Sequence, residues 1–211
     1  MRRFVLALTT LTAVALSTTV QAQTPAGWKL RIDRSTSASD PDSSGPIKFV
    51  KSGAGFHATN PQAAIYWNPA NTATGSYDLS ATFTLMKPSG HTNYYGLVFG
   101  GSTLDGAEQS YIYFMVAQDG TWLIKRRDGA QTPSVSQKTK SDAVKVPDAS
   151  GQSVNALAIH VRPDKIEYLV NGTVVTTTPR TGLTANADGI YGIRVNHLLE
   201  VQIDNLAMQR R

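Results

Sequence analysis

The chain has 211 residues, of which 41% are hydrophobic and 17% charged, and it contains no cysteine. This composition excludes an intrinsically disordered protein and a small disulfide-stabilised domain. The formal net charge is +5 and is spread along the chain except at Lys125–Arg127, a distribution that does not indicate nucleic-acid binding. No stretch after residue 22 approaches the roughly 20 apolar residues of a membrane-spanning helix. We therefore expect one globular domain.

The first 22 residues have the pattern of an export signal. Arg2 and Arg3 precede an apolar segment at Phe4–Leu16, and Val20–Ala22 has small residues at its first and third positions. Because there is no cysteine, no lipid can be attached at the cleavage point. The pattern predicts a bacterial protein, periplasmic or secreted, with a signal peptide at 1–22 and a single domain at 23–211.

The rest of the chain is divided by turn residues at intervals of about ten residues, a spacing typical of an all-β sandwich or barrel. Thr132–Val146 is polar and is predicted to be a loop, and a short helical turn is considered at Leu104–Gln109. The candidate strands are rich in Val, Ile, Tyr, Phe and Thr: Trp28–Ile32, Ala63–Trp67, Tyr77–Met86, Tyr95–Phe99, Tyr111–Ala117, Trp122–Arg127, Asn155–Val161, Lys165–Val170, Thr173–Thr178, Ile190–Val195 and Glu200–Met208.

The predicted strand Tyr111–Ala117 is apolar on both faces. Its outer face carries Tyr111 and Tyr113, where lysine or threonine would be usual. A three-residue turn with Gly120 in the left-handed conformation keeps Lys125 out of the core, whereas a two-residue turn does not, so we expect the former. This register places the two tyrosines beside Lys125 and Arg127.

Such a face suits a sugar, because tyrosine rings stack on pyranose C–H groups and cations donate to hydroxyls. The cations would favour an acidic glycan. The alternative is that a loop covers this face and the tyrosines form a second small core. Trp67 and His57 are further candidate ligand-binding residues at the rim of this face; the alternative for Trp67 is a place in the core.

The sequence gives little support for catalysis. Glycoside hydrolysis normally requires two carboxyl groups about 5 to 10 Å apart, and the closest approximations are Glu200 with Asp204 and Glu108 with Asp105. The four histidines show no metal-ligand spacing, so we predict neither a metal nor a cofactor. A sugar-processing enzyme would have to use an atypical set, such as His57 or His197 with one acid.

Six segments together resemble the concanavalin A-like lectin/glucanase superfamily, with its laminin-G-like and 3-keto-disaccharide-hydrolase-like bacterial branches the most similar. These segments are Tyr95–Gly101, Gln109–Phe114, Asp119–Arg127, Val170–Val175, Gly189–Val195 and Val201–Leu206. The resemblance implies a jelly-roll sandwich of two antiparallel sheets and carbohydrate binding or processing on the concave sheet. The Glu-x-Asp-x-x-Glu motif of the laminarinase-type hydrolases has no counterpart in this sequence.

The main functional hypothesis is therefore an exported, lectin-like, non-catalytic domain that recognises a polysaccharide or a cell-surface glycan. The alternatives are a glycoside-processing enzyme with atypical catalytic residues and a β-sandwich whose sheet face binds another protein. The sequence does not indicate the oligomeric state.

Overall fold

The computed structural model describes residues 24–33 and 41–211, and it consists of two seven-stranded sheets. The front sheet contains, in spatial order, β1 (Lys29–Ile32), β4 (Ala64–Ala73), β13 (Gly189–Val195), β6 (Tyr94–Ser102), β7 (Ser110–Ala117), β8 (Thr121–Asp128) and β9 (Ser134–Lys140). The back sheet contains β12 (Thr173–Pro179), β11 (Lys165–Val170), β10 (Ser153–Val161), β5 (Tyr77–Lys87), β14 (Leu199–Arg210), β3 (Gly55–Asn60) and β2 (Lys48–Ser52). The predicted sandwich of two antiparallel sheets is confirmed. The predicted export signal lies outside the described residues.

The inner faces of the two sheets form the main core. Strand β5 shows the pattern most simply, because its residues alternate strictly between buried and partly exposed positions up to Leu85. Tyr77, Leu79 and Phe83 point into the core and are fully buried, while the intervening side chains face solvent. Within the described residues, the helical structure is a single 3-10 turn at Gly182–Thr184. None of it is long or apolar enough to span a bilayer.

Two hairpins form as the sequence predicts, one with Gly120 in a three-residue turn and one in which the pair Asn171-Gly172 is typical of a type I′ turn. Gly120 has φ +82° and Val116 pairs with Trp122, which is the register of the three-residue turn. At the second hairpin, Asn171 and Gly172 both have positive φ, as a type I′ turn requires. Both registers follow from local backbone geometry.

Strand β14 contains a bulge, which the sequence predicts because Val201 and Ile203 alternate on one parity and Leu206 and Met208 on the other. The pairing with β5 shifts between Asp204 and Ala207, and Asn205 has φ +54°. The bulge lets Leu206 and Met208 pack against the same core as Val201. Its role here is to keep apolar side chains on the inner face.

Three segments differ from the sequence-based expectation. Thr132–Val146, predicted as a loop, contains β9, whose polar side chains are mostly exposed because it lies at the sheet edge. The segment Leu104–Gln109 forms turns and no helix. Strands β2 and β3 have no counterpart among the predicted strands. In β3, glycine, histidine and asparagine interrupt the β-propensity, and pairing with β14 decides its conformation.

Candidate functional site

The outer face of the front sheet is buried, which distinguishes it from the outer face of the back sheet. Strand β7 is buried on both faces, in contrast to the alternating β5. The outward-facing apolar side chains form a second cluster, which we call the outer cluster: Ile65, Trp67, Tyr94, Val98, Leu104, Tyr111, Tyr113, Met115, Ala117 and Leu123. A sheet with apolar residues on both faces needs a cover or a ligand on its outer side.

Three charged groups lie against the outer cluster. The guanidinium of Arg194 contacts Asp33 in a short hydrogen bond and donates to the Tyr111 hydroxyl at 2.9 Å. Arg127 reaches the other carboxylate oxygen of Asp33 at 3.3 Å. The side chains of Asp33, Arg194 and Arg127 are 8%, 11% and 19% exposed. Two guanidinium groups therefore share one carboxylate in a largely buried place.

This arrangement fixes the ionisation of the groups involved. Burial by itself raises the pKa of Asp33, but the charges and hydrogen bonds of Arg194 and Arg127 outweigh it, so the pKa is lowered. Burial raises the pKa of Tyr111 and of Tyr113, so both remain neutral phenols at physiological pH. Asp33 is consequently an anion that accepts hydrogen bonds and not a proton donor.

A loop between β6 and β7 crosses part of the outer cluster. Leu104 in this loop belongs to the cluster. Asp105 forms an ion pair with Lys29 on β1 at 2.6 Å, and the backbone carbonyl of Gly106 accepts a hydrogen bond from Arg31. Since β1 lies three strands from β6 in the sheet, the loop passes over β13 and β4 to make these contacts. It covers one end of the front sheet.

The structure brings five of the six predicted site residues onto one face. Tyr113 pairs across the hairpin with Lys125, and Tyr111 pairs with Arg127. Trp67 joins the same outer cluster. The tyrosines are not exposed, however, because Tyr111 is 0% and Tyr113 4% exposed. The tyrosines thus form a covered second core, which is the alternative to an open aromatic face. Lys125 and Arg127 lie at its side and are half-buried, so solvent still reaches them.

His57 is not part of this face. It lies on β3 in the back sheet, between Phe56 and Ala58, which both point into the main core. Its side chain therefore faces the opposite side of the molecule, where its Nε2 is 3.0 Å from Oε1 of Glu200. The expectation that His57 and Trp67 flank one site is wrong because their strands belong to different sheets.

The other histidine singled out from the sequence, His197, is 4% exposed. Its Nδ1 lies 3.0 Å from Oδ1 of Asp42, and its Nε2 lies 3.1 Å from Nε2 of His91. The carboxylate orients the ring and directs Nε2 to the second histidine. Within the described ranges, no group of three or more acidic, histidine or cysteine side chains could hold a metal ion.

Several buried polar atoms lack a hydrogen-bond partner among the described residues, some of them beside the outer cluster. In the described part of the chain they include Nε of Arg127, Nε of Arg194 and both amide atoms of Gln109, which lies directly before β7. Buried polar groups in native proteins are nearly always hydrogen-bonded, and exceptions call for an explanation such as a ligand. The two arginine Nε atoms are donors, and the Gln109 amide offers one donor atom and one acceptor atom, so some hydrogen-bonding capacity remains unused beside the front sheet.

Sequence reasoning missed Arg194 and Asp33. Alternation along Gly189–Val195 places Arg194 on the outer face, but no local pattern shows which strands flank it. The partners Arg194 and Asp33 are 161 positions apart in the chain. Only the order of strands in the sheet brings them together.

Comparison with known proteins identifies the fold. No protein-family model matches the chain, and no curated protein matches it. Among solved structures it is similar to the carbohydrate binding module CBM66 of Bacillus subtilis, with a TM-score of 0.61, 9% identity, and coverage of 87% of this chain and 95% of that one. A Bacillus subtilis protein of unknown function with a galectin-like fold gives a TM-score of 0.59 at 11% identity, covering 87% of this chain and 89% of that one.

A third similar structure is the endo-β-1,3-glucanase of Pyrococcus furiosus. Its TM-score is 0.52 at 14% identity, and the match covers 70% of this chain and 66% of the glucanase. At these identities the similarity concerns the fold alone. The protein therefore has a jelly-roll sandwich fold of the concanavalin A-like type, the architecture that its sequence resembles.

Proposed function

We propose that the protein is a non-catalytic, lectin-like domain that binds a polysaccharide or a cell-surface glycan on the outer face of the front sheet. The accessible contacts are Lys125 and Arg127, and Tyr111 and Tyr113 lie behind them. One observation carries the proposal: the partly accessible cations Lys125 and Arg127 lie beside buried aromatic rings on one sheet face.

This combination matches the chemistry of a saccharide. Hydroxyl groups need fixed donors and acceptors, and the C–H faces of a pyranose ring pack on aromatic or aliphatic surface. The back-sheet strands β5 and β10 lack the combination, because neither carries tyrosine, tryptophan or phenylalanine on its outer face: β5 has mainly serine and threonine there, and β10 has valine, alanine and one histidine. The similarity in fold to a carbohydrate binding module supports the proposal.

Binding is favoured over hydrolysis by the state of the carboxylate on this face. A glycosidase needs a general acid that stays protonated near neutral pH. Asp33 is held as an anion by two arginines, and its lowered pKa is the opposite of what such an acid needs. Asp105 is paired with Lys29 in the crossing loop. Neither Asp33 nor Asp105 is therefore the protonated acid that hydrolysis needs, and sugar binding does not require one.

Access is governed by the loop between β6 and β7. A glycan that contacts only Lys125 and Arg127 can approach from the side of β8 and β9 without moving this loop. Contact with Trp67 would require the loop to lift, since Leu104 packs in the same cluster. We assign the first contacts to β8 for this reason.

Affinity electrophoresis of the purified protein in native gels that contain single polysaccharides tests the proposal. We expect retarded migration without clearing of the stained polymer, and weaker retardation for the variant Lys125→Ala. Lys165→Ala is the matched control, because Lys165 is a strand cation on the back sheet. A cleared zone would identify an enzyme, and unchanged migration in every gel, with a dimer in solution, would identify a protein-interaction domain.

An exported protein would meet such glycans in the periplasm or outside the cell. This location stays a prediction from the first 22 residues.

A further inference from the structure

We propose that the site on the front sheet selects glycans that carry carboxylate groups, so that its ligand is a polyuronate and not a neutral polysaccharide. This inference rests on the proposed function and adds the substrate class. The charge balance of the face and the positions of the cations on β8 support it.

The first step is the excess charge around Asp33. Two guanidinium groups, those of Arg127 and Arg194, share this one carboxylate, so the group of three carries a net charge of +1. Burial of an uncompensated charge is costly, and a second anion beside the arginines would relieve that cost. Each guanidinium also retains a buried Nε without a hydrogen-bond acceptor among the described residues.

A similar group on the back sheet shows why burial matters. There Asp78 also contacts two arginines, Arg162 and Arg211. The side chain of Arg211 is 49% exposed, however, so water solvates its charge. At the front sheet the corresponding side chains are 11% and 19% exposed. The same stoichiometry therefore leaves an excess of positive charge that water compensates less at the front sheet, where Arg194 also contacts the Tyr113 ring.

The second step is the arrangement of cations along β8. Lys125 and Arg127 lie two residues apart on one face, which is about 6.6 Å along a strand. Each is paired across the hairpin with a tyrosine, Lys125 with Tyr113 and Arg127 with Tyr111. None of the ion pairs between described residues involves Lys125. The face thus presents two successive, partly exposed cations, each beside a covered tyrosine ring.

The third step is the geometry of the ligand group. A guanidinium is planar and donates two parallel hydrogen bonds to a carboxylate, which makes arginine better suited than lysine to this group. The tyrosines themselves are covered, so the partly exposed cations of β8 are the groups that a ligand meets. A uronate is therefore the sugar whose carboxylate matches these cations.

The test uses polymers that differ only in the carboxylate. Polygalacturonate, alginate and hyaluronan are each compared with the neutral polymer made by reducing their carboxyl groups, in affinity gels and by titration calorimetry at two salt concentrations. We expect at least tenfold tighter binding of one polyuronate than of its reduced form. Arg127→Gln and Lys125→Gln should each weaken this binding about tenfold, whereas Lys165→Gln, which removes the same charge from the back sheet, should not. The Lys125 variant keeps the test decisive if the Arg127 variant folds poorly, because Lys125 is outside the Asp33 group.

The outcomes separate the inference from the proposed function. Equal binding of a polyuronate and its reduced form, or binding of neutral polymers only, overturns the inference and leaves carbohydrate binding in place. Dextran sulfate binding as tightly as the polyuronate, with equal loss in all three variants, would show general attraction of polyanions and also overturn it. Retention of no polysaccharide would overturn the proposed function itself.

Discussion

Replacement of Asp33 by asparagine should expose the energetic cost of the buried arginines. The change keeps the size of the side chain and one acceptor oxygen, but it removes the negative charge between Arg194 and Arg127. Breaking a buried ion pair by removing one partner typically costs about 3 to 5 kcal/mol. Because Arg127 is partly solvated and the asparagine oxygen still accepts a hydrogen bond, we expect the lower value, about 3 kcal/mol. In a domain of this size that lowers Tm by roughly 6 to 12 °C.

Urea denaturation followed by tryptophan fluorescence at pH 7 measures this change, and a second variant tests its cause. In the double variant Asp33→Asn/Arg194→Met, the more deeply buried cation is also absent, so part of the lost free energy of unfolding should return. Asp105→Asn is the control, because its ion pair with Lys29 is exposed and should matter little. A loss below about 1 kcal/mol for Asp33→Asn, or no recovery in the double variant, would refute the conclusion that Asp33 compensates the charges of two buried arginines.

Three further predictions concern other parts of the fold. Trp67→Ala should lower the free energy of unfolding by about 3 to 5 kcal/mol, because the side chain is 2% exposed; a loss under about 1 kcal/mol would contradict its place in the outer cluster. Gly120→Ala should cost about 1 to 2 kcal/mol because φ is +82°, whereas Gly90→Ala, where a Cβ meets nothing within 4 Å, should be almost neutral. The pKa of Asp119 is about 2. Burial raises this pKa, but hydrogen bonds from Lys138 and two threonines lower it by more. A lowered pKa stabilises the fold at pH values above the ordinary pKa of 3.8, and this contribution is lost as the pH falls towards 2. The variant Asp119→Asn should therefore lose less stability than the unchanged protein between pH 3.8 and pH 2. Unchanged acid denaturation curves would refute the assignment.

The local hairpins show how much of the fold can be predicted from the sequence. The register of β7 and β8 follows from one glycine and from the need to keep Lys125 outside the core, and the structure has this register. The bulge in β14 follows from a change of parity between Ile203 and Leu206. In each case the determining interactions lie within a few residues of each other, so alternation and turn chemistry are sufficient.

The site could be predicted only in part. The hairpin brings Tyr111, Tyr113, Lys125 and Arg127 together locally, and the sequence places these four correctly relative to one another. Their exposure is a different matter, because it depends on a loop that reaches β1 from β6. Alternation along a strand identifies which side chains share a face, but it does not tell what lies over that face.

The sequence by itself therefore determined the fold class, the two tight hairpins, the bulge and the composition of the sheet face that carries the candidate site. Only the tertiary structure decided that His57 belongs to the other sheet, that the tyrosines form a covered second core, and that Arg194 and Arg127 share Asp33. The physical reason is sequence separation. Turn conformation and strand alternation are set by neighbouring residues, whereas the order of strands in a sheet joins side chains as distant as Asp33 and Arg194 through the packing of the whole domain.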